Sequence, residues 1–355
     1  MKHLFLPTLL GCFALLSITT LYGLDKALAI RQLIFFLAGF GLFFFFRNIR
    51  FSKMLSLANI FYGATIVLLL IALLFSSEIR NTNRWINLGF FNLQPSQLAI
   101  PSLALILSGL TQKKMTSNSL LTMLGLTLLP AVLIFLEPDL SMTLLVLVTA
   151  GSILWLQPIP IKAYVLSGVL SIVLLATSWI WLLQPYQKER VESFMRPSSV
   201  MTAATYNVEQ SKIAVGSGRV FGRGIQRGTQ SQLQFLPEKE TDFIFASFSE
   251  EFGWLGSMLV VSLYASLLTY LLKLARSASF IAGKMFLISI LVVFSAQIVI
   301  NIGMNLGMLP VTGIALPLLS YGGSSLLATC LIFGIVQSIA IETTNRSQLT
   351  RSRYI

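Results

Sequence analysis

Apolar residues in this chain come in unbroken blocks of about 17–25, separated by short polar joins. That is the length an α-helix needs to cross roughly 30 Å of hydrocarbon, and it leaves the chain few alternatives. Strict alternation of apolar and polar residues is absent, which argues against a membrane β-barrel. Composition agrees: 55% of the 355 residues are hydrophobic and 11% are charged, where a soluble domain carries about 25% charged. The expected fold is an all-α integral membrane protein, one membrane domain over 1–355 with about ten transmembrane helices. The spans fall near 4–23, 28–46, 55–76, 95–112, 120–136, 140–157, 161–183, 243–272, 283–302 and 322–341. A large extracytoplasmic loop, 184–242, joins the seventh span to the eighth.

Orientation follows from the basic residues of the short loops. With the N-terminus inside, the inner side carries Lys2, Arg47, Arg50, Lys53, Lys113, Lys114, Lys162, Lys273, Arg276, Lys284, Arg346, Arg351 and Arg353. The outer side, the long loop left out, carries Lys26, Arg31, Arg80 and Arg84, so the ratio is 13 to 4. Both termini are therefore expected in the cytoplasm. The net charge of +12 is mostly this bias, and its scatter over short loops gives little support to nucleic-acid binding. Cys12 and Cys330 both lie within spans, so no disulfide framework is expected. Leu9-Leu-Gly-Cys12 resembles a lipoprotein cleavage box, but the apolar run continues to Tyr22, so a retained first helix is expected. His3, the only histidine, lies at the terminus, which removes support for a histidine-based catalytic or metal site.

Three segments carry features that plain connectors lack. Loop 77–94 is amphipathic, with Arg84 and Trp85 suited to a membrane interface. Loop 184–242 is too long for a mere connection, and within 212–227 it holds Lys212, Arg219, Arg223, Arg227 and four glycines without an acid. Glycines admit backbone N–H groups close to an anion and the cations supply charge, which suits a diphosphate; a basic loop touching anionic lipid is the plainer reading. In 301–323 the residues Gly303, Gly307, Pro310, Gly313, Pro317, Gly322 and Gly323 interrupt an apolar stretch. Such backbone is tolerated at membrane depth only where protein or a wet cavity surrounds it, so this is either a cavity wall or a tight outer turn.

The acids are few and placed with purpose. Phe235-Leu-Pro-Glu-Lys-Glu-Thr-Asp-Phe243 sets Glu238, Glu240 and Asp242 where a polar loop opens into an apolar helix. Acidic groups at the edge of hydrocarbon are costly and usually have a task. Thr241 or Asp242 would serve as a helix N-cap, or Asp242 as a general base facing an apolar chamber. Glu250 and Glu251 follow two turns later, on directions about 100° apart, so at least one points into the bundle as a functional group or as a partner of an arginine such as Arg31. In Glu137-Pro-Asp139, Asp139 is either a helix cap or a second acid at the mouth of the same cavity. Ser320-Tyr-Gly-Gly-Ser-Ser325 lacks the lysine of a phosphate loop. The residues alone thus describe a ten-helix protein with an outward acidic and basic site for an amphiphilic anionic ligand.

Several segments, in order, resemble one family: Arg84-Trp-Ile-Asn-Leu-Gly89, Gln94-Pro-Ser96, Pro138-Asp-Leu140, Gln210-Ser-Lys-Ile-Ala-Val-Gly-Ser-Gly218 and Gly228-Thr-Gln-Ser-Gln-Leu233. Phe235-Leu-Pro-Glu238, Thr241-Asp-Phe-Ile-Phe245, Asn301-Ile-Gly-Met304, Leu309-Pro-Val-Thr-Gly313 and Ser320-Tyr-Gly-Gly-Ser324 complete the set. They are similar to the shape, elongation, division and sporulation family, and 228–233 looks more like its RodA (elongation) branch than its FtsW (division) branch. The resemblance, which covers about 28–340, implies a peptidoglycan glycosyltransferase for elongation and cell shape. It would polymerise lipid II on the outer face of the bacterial cytoplasmic (inner) membrane, beside a class B penicillin-binding transpeptidase. It makes Asp242 the expected catalytic residue. Arg84, Gln210, Lys212, Arg219, Arg223, Glu238, Glu250 and Ser320 form the expected substrate-binding set, with Arg84, Arg219 and Arg223 on the diphosphate. No cofactor or metal cluster is evident, and a divalent-cation requirement is left open.

The chain departs from the family pattern at Gln97, Ala99 and Ile100, where an acid and a lysine are usual. It also departs at Glu137 for glutamine, Arg219 for glycine and Glu240 for histidine. Two other functions stay open at this point: a lipid II flippase, and a non-catalytic scaffold of the cell-wall complex. A flippase needs polar groups through the membrane depth, whereas here only Glu250 and Glu251 lie deep.

Overall fold

The computed structural model describes residues 4–75, 84–89, 91–112, 116–158, 185–195, 203–233 and 235–352. Within them lie α1 (Phe5–Leu24), α2 (Lys26–Asn48), α3 (Phe51–Ser56), α4 (Ala58–Phe75), β1 (Ile86–Asn87), β2 (Asn92–Leu93), α5 (Ser96–Leu110), α6 (Ser117–Leu136) and α7 (Leu140–Leu154). After these come α8 (Pro185–Met195), α9 (Ala203–Ser217), α10 (Thr229–Gln232), α11 (Ile244–Ser277), α12 (Ile281–Asn305) and α13 (Gly323–Ser352). Among the described residues α1, α2, α4, α6, α11, α12 and α13 are long and apolar enough to cross a membrane, and α5 and α7 are shorter apolar helices. The chain is a polytopic helical membrane protein. Nine expected spans are matched by helices; the expected seventh, 161–183, lies outside the described residues.

Local chemistry sets several boundaries. Asp25 accepts from the Ala27 amide and opens α2, while Thr116 and Ser119 form a reciprocal capping box on α6. Asp139 accepts from the Met142 amide at 3.1 Å and opens α7. The expected third span divides at Leu57 into α3 and α4. α13 is the most enclosed span, packed along α2 and built on buried Phe333, Ile335 and Val336. On α11, Tyr264 stacks near Phe13 of α1 at 4.7 Å and donates to the Pro317 carbonyl at 2.6 Å.

Two irregular stretches depart from plain helix. Between α12 and α13, 306–322 is not a tight turn but a packed wall with Val311, Ile314 and Leu316 to Ser320 buried. Its carbonyls are claimed by side chains from several elements: Ser141 for Thr312, Asn301 for Ile314, Ser17 for Leu319 and Gln32 for Ser320. That satisfaction lets non-helical backbone persist in an apolar setting.

The second stretch interrupts α11. Gly253, at φ 68° and ψ −164°, divides it into halves 244–252 and 254–277. Residues 218–224 of the loop plug the gap. Trp254 and Leu255 donate their amides to the Arg219 and Val220 carbonyls at 2.8 and 3.1 Å. The Glu250 and Glu251 carbonyls accept from the Arg223 and Gly224 amides at 2.9 and 3.0 Å. Both new helix ends are thereby capped by the same few residues.

Candidate functional site

The turn 235–243 carries Asp242 to the start of α11. A small core of Ala214, Leu236, Phe243, Ala246, Met304 and Val311 seats it between α9, α11 and α12. Glu238 is its pivot, at φ 51°, with its carbonyl accepting from the Thr241 and Phe243 amides. Three successive carbonyls are then locked from outside the turn. Glu240 accepts from the Tyr321 amide at 2.8 Å, and Thr241 accepts from Ser320 Oγ at 2.7 Å. Asp242 accepts from Asn301 Nδ2 at 3.1 Å and Asn305 Nδ2 at 3.0 Å.

The two asparagines are fully buried, one turn apart on α12. Asn305 also accepts the Ala246 amide on Oδ1 at 3.0 Å, and its carbonyl accepts from Ser211 Oγ at 2.8 Å. The N-cap of α11 is Phe243, so Thr241 and Asp242 do not hold that position, and Asn305 supplies the acceptor for the Ala246 amide. The Asp242 side chain is half-buried. It faces Gly313, where an added Cβ would lie 3.6 Å from Asp242 Oδ2 and 3.7 Å from Arg190 Nη1. Arg190 of α8 was not singled out in the sequence; nothing in its charged surroundings, Lys188-Glu-Arg-Val-Glu192, separates it from a solvated helix face.

A second polar cluster also reaches the segment 306–322, through Ser141. Arg84 Nη1 pairs with Asp139 Oδ2 at 3.2 Å, and Gln94 Nε2 donates to that oxygen at 3.0 Å. Asp139 is therefore the helix cap that the sequence allowed, and it is also the ion-pair partner of Arg84, a role the sequence did not suggest. Gln97 extends the chain by donating to Gln94 Oε1 at 3.4 Å. Ser141 joins this cluster to Thr312, next to the Gly313 that Asp242 faces. Glu137 is fully buried beside the pair, and neither of its carboxyl oxygens has a hydrogen-bond partner. Burial pushes its carboxyl up to about 8, with Asp139 adding to the rise and Arg84 opposing it.

Several sequence expectations need correction. Of the glycines in 212–227, Gly218 and Gly222 face protein backbone and not an open anion cradle. A Cβ on Gly218 or Gly222 would collide with the Ser249 or Glu251 carbonyl, so these glycines serve close approach to the broken helix. Arg219 and Arg223 are exposed beside Gly253, separated from Asp242 by the half-helix 244–252, about 13 Å of rise. Glu250 is not a ligand group but a buried anchor: it accepts from the Gln230 and Ser231 amides at 2.9 and 3.0 Å and from Ser231 Oγ at 2.8 Å. It thus holds α10, and Arg31 is exposed and not its partner. Glu251 is buried too and accepts from the Gln226 amide at 3.3 Å. Ser320 is buried and pins Thr241, a structural part where substrate contact was expected. Lys212 is exposed and pairs with Glu209 at 3.8 Å; Gln210, its neighbour on α9, is half-buried. Glu238 stays in the turn, its carboxylate accepting from Thr241 Oγ1 at 2.9 Å.

The site can thus present one carboxylate on a fixed backbone, with a guanidinium near it at Gly313 and an arginine–aspartate pair linked to the same segment through Ser141. That suits proton abstraction next to an anionic leaving group. Among the described residues no group of three or more His, Cys, Asp or Glu is placed to hold a metal.

Comparisons with known proteins agree with this architecture. Residues 2–345 match the FtsW/RodA/SpoVE family, described as cell cycle protein. The peptidoglycan glycosyltransferase MrdB of Escherichia coli (strain K12) is 35% identical over 294 residues, 82% of this chain and 79% of that one. A chain from a peptidoglycan synthase complex, solved for its coordination of polymerization and crosslinking, superposes with a TM-score of 0.80 at 29% identity, covering 95% of this chain and 97% of that one. The rod shape determining protein RodA of Thermus thermophilus superposes with a TM-score of 0.71 at 27% identity, covering 96% of each.

Proposed function

We infer peptidoglycan glycosyl transfer from one premise: the chain belongs to the FtsW/RodA/SpoVE family of cell cycle proteins. It is a RodA-like polymerase of lipid II, working at the outer face of the bacterial cytoplasmic membrane with both termini inside. The 4-hydroxyl of an acceptor lipid II attacks the anomeric carbon of a glycan chain carried on undecaprenyl diphosphate. The new C–O bond forms as the bond to the diphosphate breaks, and the diphosphate leaves with the electron pair. Asp242 takes the hydroxyl proton, as a carboxylate base does in inverting glycoside chemistry. Arg84, on the same end of the bundle, is the expected arginine best placed to meet the diphosphate. A class B penicillin-binding transpeptidase is the partner we propose; the synthase-complex chain of like fold supports a partner of that kind.

One observation carries the reading: the carbonyls of residues 240, 241 and 242 are each held from outside the turn, while the Asp242 side chain stays half-buried. A base needs that fixity. The anchoring of Glu250 within the loop also removes a deep acid that a flippase would use. The test is Asp242→Asn in vesicles bearing lipid II on their outer face. Asparagine keeps the side-chain shape and leaves the backbone carbonyl bonds in place, so the variant still folds while polymer synthesis falls about 100-fold or more. Wild-type glycan yield from that variant overturns the assignment.

A further inference from the structure

We propose that Arg190 is a positioning residue for Asp242, holding its carboxylate ionised and oriented over the bare backbone of Gly313. The inference rests on the reading of Asp242 as the base and adds the group that keeps it in the base form. Gly313, at φ 77°, places no side chain between them: a Cβ there would touch both Asp242 Oδ2 and Arg190 Nη1. The two come from separate elements, α8 and the turn before α11, and α9 packs against both helices.

Among the described residues, the other charged groups in the elements around Asp242 lie as follows. Residues 306–322 contribute none, and the adjoining end of α12 offers only the neutral Asn301 and Asn305. Asp139 is paired with Arg84, and Glu137 beside them is buried. On α9, Lys212 pairs with Glu209. In the turn, Glu238 accepts from Thr241, Lys239 Nζ donates to the Ser231 carbonyl, and Glu240 is half-buried. On α8, Glu189 and Glu192 are exposed, where water and salt screen them, and Lys188 is half-buried. Arg190 is therefore the cation set against Asp242 by the geometry at Gly313. A guanidinium does not lose its proton at working pH, so its effect is constant. A cation beside a carboxylate favours its charged form, which keeps a base available into mildly acidic solution.

The test reads the ionisation of Asp242 without turnover. Dicyclohexylcarbodiimide modifies protonated carboxyls, and labelling of the peptide holding Asp242 is followed against pH by mass spectrometry. In full-length Arg190→Gln the labelling midpoint rises by about one pH unit or more over wild type, and in Arg190→Lys it stays near wild type. An unchanged midpoint in Arg190→Gln overturns the inference, whatever happens to activity. Where the glutamine variant does not fold, Arg190→Met is measured the same way, and an unchanged midpoint there counts equally against it. A shifted midpoint alongside an active Asp242→Asn leaves the ion pair standing and removes the base assignment instead.

Discussion

Replacing Gly253 by alanine adds one methyl group at the interruption of α11, where it would meet the Gly222 amide nitrogen, the Phe221 carbonyl carbon and the Val220 oxygen. The backbone there, φ 68° and ψ −164°, is open essentially to glycine, and another residue costs about 1–3 kcal/mol. Forcing a methyl against fixed backbone adds about 1–3 kcal/mol more. Alanine also favours a continuous helix over glycine by about 1 kcal/mol. Even the lower ends disfavour the broken form by about 3 kcal/mol. A straight helix is a ready alternative, since the Trp254 and Leu255 amides would pair with the Glu250 and Glu251 carbonyls four residues back. Those are the four groups that 219–224 now satisfy. Alanine should therefore expel the loop, with a population shift of about 100-fold at 1.4 kcal/mol per tenfold. Hydrogen exchange of the Arg223 and Gly224 amides, followed in wild type and variant in the same micelles, measures it directly. Protection equal to wild type refutes the view that glycine geometry keeps the break open.

The wall behind Asp242 supplies two more predictions. Asn305→Leu keeps the volume but strips the Ala246 amide and one of two donors from the Asp242 carbonyl; it should lower stability by about 2 kcal/mol and reduce polymer yield with Asp242 itself intact, seen in melting curves and vesicle assays. Glu137→Gln should flatten the dependence of stability on pH. Folding raises this carboxyl from 4.5 to about 8, so the native state keeps a proton that the unfolded chain sheds. Stability is then complete below about pH 4.5 and is lost as pH rises towards 8, by roughly 4 kcal/mol at most. Melting temperatures at pH 5, 6.5 and 8 should fall for wild type and fall less steeply for the variant.

How much of the fold was open to a reader of the sequence depends on what kind of signal each element leaves. Blocks of apolar residues specify spans because lipid demands internally satisfied backbone, and α1, α2, α12 and α13 lie close to where those blocks put them. Where the backbone pairs with something distant, the signal is lost. Residues 244–277 read as one apolar helix, and Gly253 differs in nothing from a glycine tolerated inside a span. The break exists because 218–224 supplies substitute partners from more than 25 positions away along the chain. The wall 306–322 was visible as irregular from its glycines and prolines. Its burial was not, because the bonds that hold it come from Ser17, Gln32, Ser141 and Asn301 on four other helices.

The same distinction decides what could be read of the site. Asp242 stood out because an acid at the edge of an apolar helix is rare for energetic reasons. The glycines of 212–227 misled because one property, a backbone without Cβ, serves any close approach, and sequence does not say whether a phosphate or a carbonyl is the neighbour. Glu250 misled in a parallel way: a buried acid satisfied by two amides and a hydroxyl looks, as a letter in an apolar run, the same as one awaiting substrate. Asn301 and Asn305, one turn apart in an otherwise apolar span, were a legible signal of something polar to satisfy. Their partner, the Asp242 carbonyl, was not legible, because every residue but proline offers the same backbone oxygen and amide. The precision of the site therefore resides in three carbonyls, 240 to 242, whose side chains have no part in those bonds. Substitutions at Ser320, Asn301 or Asn305 should disturb the position of the carboxylate more than substitutions at Glu240, the nearer charge in sequence.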